Sequence, residues 1–208
     1  MIAVSDPRTD TKTRILDAAQ KLFGDKGFEA TSLRDITTAA QVNLAAVNYH
    51  FQSKESLIDA IIDRCISPVN QRRLEMLEAA GPAPSVEQIV EAFVQPTLEA
   101  DWATVVPLMG RILATPDQFV ERFFRKRISN VAERFTTALA QALPDLPPVE
   151  ILWRLHFMAG AVAHILLFSR ALPVLTGGMC DLSDRAALLR RMVAYIAAGF
   201  RAPLPETK

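Results

Sequence analysis

Asn43, Asn48, Tyr49, His50 and Lys54 carry recognition chemistry at short spacing, with Leu44, Ala45 and Ala46 lying among them. An asparagine amide offers a donor and an acceptor to an adenine edge, and an alanine methyl can touch the methyl of thymine. Two small residues in a row also let a helix come close to base edges. Tyrosine and histidine are amphipathic and point to neighbouring sides of the same helix. Lys54 supplies a point charge for a phosphate. It stands in the first turn of its helix, where the macrodipole disfavours a cation, a placement that makes sense beside an anion. Upstream, Thr31 and Ser32 offer hydroxyls and backbone N–H groups at a helix start, a natural anion site. Each residue alone reads equally well as a solvated surface group; their joint spacing points to non-covalent recognition of a polyanion.

Short helices must position these groups. Helical periodicity dominates, and the expected fold class is all-α: an N-terminal three-helix helix-turn-helix domain and a C-terminal helical domain. The first helix is expected over about Thr11 to Lys26, with Ile15, Ala19, Leu22 and Phe23 on one face. Gly27 suits a left-handed cap and lets Phe28 fold back on the core. Thr31 or Ser32 caps a second helix that buries Leu33, Ile36 and Ala40. Gln41-Val42-Asn43 forms a turn, and Leu44 to Phe51 a third helix that turns Val47 and Phe51 inward. Ser53 caps a fourth helix whose apolar face carries Leu57, Ile58, Ile61 and Ile62. Such a pair of short helices is the sequence form of a helix-turn-helix, whose second helix enters the major groove of DNA.

This segment resembles the DNA-binding domain of the TetR family of bacterial transcriptional regulators. The resemblance rests on Gly27-Phe28, Thr31-Ser32-Leu33 and Tyr49-His50-Phe51-Gln52-Ser53-Lys54-Glu55, and covers about residues 11–62. It implies an all-helical dimer with an N-terminal DNA-binding domain and a larger C-terminal ligand and dimerisation domain. The expected division is 1–53 and 54–208, joined by the helix that starts at Ser53. Two departures matter. Gln41 stands where the family often has glycine, at a cost of about 1 kcal/mol if the backbone there is left-handed. Asn48 replaces a second aromatic before the tyrosine, so the operator sequence does not carry over from the family. The third helix also resembles that of fatty-acid-responsive members.

Beyond the Pro/Gly-rich loop at Ala79–Ser85, further helices are expected over Val86–Leu98, Trp102–Ala114, Pro116–Ala142, Pro148–Leu172 and Asp184–Phe200, with Pro96 and Pro107 kinking or interrupting the first two. The segment from Pro148 is apolar on nearly all sides, so it should be buried against both its own domain and a partner. With the last helix and their symmetry mates it would form a four-helix interface, as the resemblance implies. Aromatic and soft side chains (Phe93, Trp102, Met109, Phe119, Phe123, Phe124 and Met158) are candidates for an apolar ligand cavity, with His156 a candidate for a ligand head group. Core packing is the plainer account of each aromatic.

The chain has 208 residues, half of them hydrophobic, with 23 basic and 23 acidic side chains. Residues 1–66 hold eight Lys/Arg against nine Asp/Glu, so even the candidate DNA-binding part is near neutral. Few cations imply a modest salt dependence per subunit. Two cysteines far apart, Cys65 and Cys180, make neither a disulfide framework nor a zinc site. His156 and His164, eight residues apart, do not suggest a metal. No nucleophile–base pair, Gly-rich phosphate loop or Glu-x-x-His pair supports an enzyme, and no cofactor is expected. The longest apolar run, Leu155 to Ser169, is too short for a bilayer and the N-terminus lacks a secretory signal, so a soluble cytoplasmic protein is expected. The resulting expectation is a homodimeric repressor released from a palindromic operator in double-stranded DNA by a small hydrophobic effector. The alternatives are an activator, a ligand-independent regulator or, further off, a helical-bundle enzyme.

Overall fold

A computed structural model describes residues 7–101 and 125–204 and, between them, Val106, Gly110 and Glu121. The described regular elements are helical: α1 (Pro7–Lys26), α2 (Leu33–Ala40), α3 (Leu44–Phe51), α4 (Lys54–Ala79), α5 (Val86–Glu99), α6 (Ser129–Ala142), α7 (Pro148–Leu167), α8 (Leu172–Leu175) and α9 (Arg185–Arg201). The expected helices at Trp102–Ala114 and at the start of Pro116–Ala142 lie outside the described residues, as does Pro107. The described residues fall into two compact units. One runs to Ser67 and includes Val106, Gly110 and Glu121; the other takes Pro68 to Asp101 and Arg125 onward.

The first unit is a three-helix cluster with the start of α4 added. Ile15, Ala19 and Phe23 of α1, Ile36 of α2, Val47 of α3, and Leu57, Ile61 and Ile62 of α4 are buried at helical spacing. Gly27 adopts φ +89° after α1, and Phe28 returns to pack edge-on against Phe23 at 5.3 Å. Along the chain one compact unit gives way to the other inside α4, between Ser67 and Pro68, and Pro68 lies within the helix. Proline lacks the N–H of the helical ladder, so the ladder is interrupted where the chain passes from one unit to the other.

In the second unit α9 packs chiefly on α5, and α6 joins α5 and α7. Ser85 starts α5 with a reciprocal capping box to Gln88, and the helix continues through Pro96 to Glu99, all but its polar edge buried. α7 is shorter than expected, ending at Leu167, and it is not buried all round. Ile151, Arg154, Met158, Val162 and Leu166 face inward. Val149, Leu152, Trp153 and Phe157 are more than half exposed. Arg154 is the unforeseen element. Its Nη1 donates to the carbonyls of Gly199, Phe200 and Ala202 at 3.2, 2.9 and 2.8 Å. Its Nε lies 3.4 Å from Glu150. A cation thus closes the C-terminus of α9, where carbonyls lack helical partners and the dipole end is negative. Among the described residues α7 alone is long and apolar enough to cross a membrane, yet its inward arginine ties it to α9. Arg201 grips Glu87 through two contacts of 2.5 and 2.7 Å, and its hydrogen bond holds the Glu87 carboxyl down at about 2. Both partners are nearly half exposed, so the pair adds little to stability.

Candidate nucleic-acid interface

α3 has only eight residues and cannot persist alone; it is held at both ends. Asn43 caps it, Oδ1 accepting the Ala46 amide at 2.8 Å. Val47 and Phe51 anchor its inner side. The opposite side is left bare: Leu44 is 46% and Tyr49 71% exposed, and Asn43, Ala45 and Asn48 are exposed beside them. His50 is half-buried, its ring edge-on to Tyr49 at 5.1 Å. A tyrosine so exposed on a helix too short to need it for packing leaves its polar tip free for a partner.

Two backbone turns set the angle of this helix. Gln41 ends α2 at φ 53°, ψ 48°, the left-handed conformation that the family usually assigns to glycine. Arg14 of α1 donates to the carbonyls of Ala40 and Gln41 at 2.6 and 2.9 Å, clamping the turn from behind. The second turn was not legible in the sequence. Gln52 sits at φ 63°, ψ −42°, with the Ser53 amide donating to the Phe51 carbonyl at 2.6 Å. This is a γ-turn of the rare, strained hand. It lets α4 begin immediately, with Ser53 Oγ accepting the Ser56 amide at 3.1 Å. Lys54 is half-buried in that first turn, and no carboxylate among the described residues pairs with it. Substituting Gln41 by glycine should therefore relieve strain and stabilise the protein by ~1 kcal/mol, about 2–4 °C in Tm. A lower Tm in a thermal melt would show that the glutamine is not strained there.

Two expectations at the start of α2 need correction. Thr31 is fully buried; its hydroxyl donates to the carbonyls of Gly27 at 2.8 Å and Leu22 at 3.3 Å. It locks the α1–α2 connection and its side chain is unavailable to a duplex. Ser32 is the cap, in a box closed by Asp35: the Ser32 amide and hydroxyl donate to Asp35 Oδ2 at 2.9 and 2.7 Å, and the Asp35 amide donates to Ser32 Oγ at 3.1 Å. These bonds hold the Asp35 carboxyl below its ordinary range. The helix start carries its own anion, so the open phosphate site expected there is largely taken. Exposed Arg34, in the same turn, is a cation that motif reading passed over.

Of the described candidate ligand residues, two face inward and one does not. Phe93 and Met158 are buried, Phe93 edge-on to Phe135 at 5.3 Å. His156 is exposed on the outward side of α7, because two residues along a helix from Met158 is more than half a turn of rotation. It does not line the interior. Trp102, Met109, Phe119, Phe123 and Phe124 lie outside the described residues.

Both halves of the chain match known protein families. Residues 15–61 match the family model for bacterial regulatory proteins of the tetR family, and residues 87–199 match that of the tetracyclin repressor-like C-terminal domain. The HTH-type transcriptional regulator UidR of Escherichia coli strain K12 is 34% identical over 108 residues, 51% of this chain and 54% of UidR. The HTH-type transcriptional repressor Rv3405c of Mycobacterium tuberculosis is 29% identical over 128 residues, 61% of this chain and 57% of that protein. The chain therefore matches little more than half the length of these relatives. The fatty acid degradation regulator FadR of Bacillus halodurans shares the fold, with a TM-score of 0.65 over 96% of this chain and 100% of that one at 15% identity.

Proposed function

Since this chain belongs to the TetR family of bacterial regulators, we propose that it is a homodimeric, ligand-responsive transcriptional repressor. It binds a palindromic operator through α3 and is released by a small hydrophobic effector. One observation carries the DNA-binding part: a short capped helix that buries Val47 and Phe51 while leaving Asn43, Ala45, Asn48 and Tyr49 exposed. In this reading Asn48 and the two alanines contact base edges, Tyr49 and Asn43 the backbone, and Lys54 a phosphate. Ser32 and Arg34 border the same surface.

A dimer is what DNA geometry requires, because two recognition helices must lie about one helical turn, ~34 Å, apart. The exposed apolar side of α7 supports it. Effector release follows from differential affinity: a ligand that favours one placement of α4 shifts the population toward it and disfavours simultaneous docking of both α3 helices. α4 is the element suited to this, since it contributes residues to both units and is interrupted by Pro68. The similar protein Rv3405c is a repressor, and FadR, which shares the fold, is a fatty acid degradation regulator, in keeping with an apolar effector.

Footprinting of purified protein on genomic DNA, with and without apolar metabolites, tests the whole reading. For the contact residues, Tyr49→Ala and Lys54→Ala should each weaken operator binding by roughly tenfold to a hundredfold, leaving the dimer intact. The Lys54 variant should also show a shallower salt dependence. Unchanged affinity in a gel-shift titration at fixed salt would remove that residue from the interface.

A further inference from the structure

Arg73 is a cation packed inside the C-terminal unit with no charge opposite it among the described residues. From the second half of α4 its Nε donates to the Phe93 carbonyl at 2.9 Å, Nη1 to Asn70 Oδ1 at 3.1 Å and Nη2 to Thr97 Oγ1 at 2.6 Å. The guanidinium lies over the Phe93 ring, 4.0 Å from its centroid. These partners are all neutral, and Asn70, Phe93 and Thr97 are buried. Arg64, Arg72, Arg154 and Arg201 each have a carboxylate; Arg73 has none among the described residues.

Desolvation draws its guanidinium down to about 10. The group still stays charged at neutral pH. The residue as a whole is only partly buried. A desolvated charge is stabilised by an opposite charge or by complete hydrogen bonding; among the described residues Arg73 meets no opposite charge, and three of its five N–H donors are engaged while two are not.

We propose that Arg73 is the anchor of a ligand site in the C-terminal unit, receiving the carboxylate of an apolar acid on its two remaining donors. The planar fork suits an oxyanion held by two parallel bonds. A single uncompensated charge amid neutral groups is matched by a monoanion. A phosphate, near two negative charges at neutral pH, would replace one imbalance by the opposite one. The Phe93 ring behind the guanidinium supplies an apolar wall. This site rests on the reading of the chain as a ligand-responsive regulator and names the class of its effector.

The test is a titration of the full-length protein by calorimetry with straight-chain carboxylates of six to twelve carbons, the alcohols of the same lengths and the corresponding alkyl phosphates. At least one carboxylate should bind about tenfold to a hundredfold more tightly than its alcohol, as expected for charged hydrogen bonds. Arg73→Gln should abolish that difference, and Arg73→Lys should retain part of it. Because a buried arginine can be needed for folding, the Nε signal of ¹⁵N-labelled Arg73 in the unmodified protein gives a second readout. It should shift with carboxylate and not with alcohol. Equal binding of acid and alcohol, an acid preference that survives Arg73→Gln, tighter binding of the phosphate, or an unmoved Nε signal overturns the proposal. Every sample is also footprinted without ligand. An intact footprint with no acid binding removes this site alone, whereas no footprint from unmodified protein removes the regulator reading.

Discussion

Replacing Trp153 and Phe157 together by aspartate should convert the protein from dimer to monomer and lower operator affinity by about a hundredfold or more. The two rings are 54% and 64% exposed and stack on one another at 5.9 Å on the outer side of α7. Val149, Leu152, Leu167 and Phe168 extend the same stripe, all at least 42% exposed, and Tyr195 of α9 is 76% exposed. Large aromatics clustered on a surface are the usual anchors of a protein interface, and continuous exposed apolar area of this kind is uncommon on a monomer. Part of the stripe repeats in reverse order about Gly160. Trp153 corresponds to Leu167, His156 to His164 and Leu152 to Phe168. An antiparallel crossing of two α7 helices at that glycine would therefore bury like against like, as a two-fold interface demands.

Aspartates at the centre of such a contact would put like charges together in a desolvated place. The monomer would then dock one α3 at a time and lose the gain of bivalent binding, on the order of 10²–10⁴. Sedimentation analysis reads the assembly, and a gel shift at fixed salt reads the DNA. A double variant that still sediments as a dimer would show that this surface is not the interface. With the native cysteines replaced, Gly160→Cys should cross-link to its own copy; failure to do so in an intact dimer would exclude the crossing at that residue.

The second large effect lies at Arg154. Substitution by methionine keeps most of the apolar stem but removes the group that ties α7 to the end of α9. The carbonyls of Gly199, Phe200 and Ala202 lose a charged donor together, and Glu150 loses its partner. Hydrogen bonds to a charged group contribute about 1.5–3 kcal/mol each, but these share one nitrogen, and Gly199 and Ala202 are exposed enough for water to replace it. The expected cost is therefore about 3 kcal/mol, or roughly 6–12 °C in Tm for a chain of this size. A calorimetric melt checks it. A loss below about 1 kcal/mol would mean that the carbonyls are satisfied without the arginine.

These residues mark how far sequence reading reached. Ile15, Ala19, Phe23, Ile36, Val47 and Phe51 were legible as core because burial repeats with the helical period, which the chain displays in its own order. The cap at Ser53 was legible for the same reason: the hydroxyl and the backbone amide it accepts from are three residues apart. The outward side of α3 followed by subtraction. Thr31 was misjudged because a threonine before a helix suits a cap, a phosphate contact or a buried tie equally well; the carbonyls of Gly27 and Leu22 choose the last. Ser32 was read correctly as a possible cap, but not that Asp35 would close the box and occupy the helix start. α7 was expected to be buried all round because its residues are apolar all round. Composition does not say which apolar side has found a partner within the subunit.

The sequence by itself determined most of the described helices, their main breaks, the helix-turn-helix and its bare face, since each depends on contacts within a few residues. Tertiary structure alone decided where three arginines go: Arg14 to the turn after α2, Arg73 under α5 and Arg154 to the end of α9. An arginine is long, always charged and at home on any surface, so its sequence position carries no sign of what it will reach. The reach is fixed only when helices distant along the chain bring unsatisfied carbonyls or buried polar groups within bonding distance, and that is a property of packing.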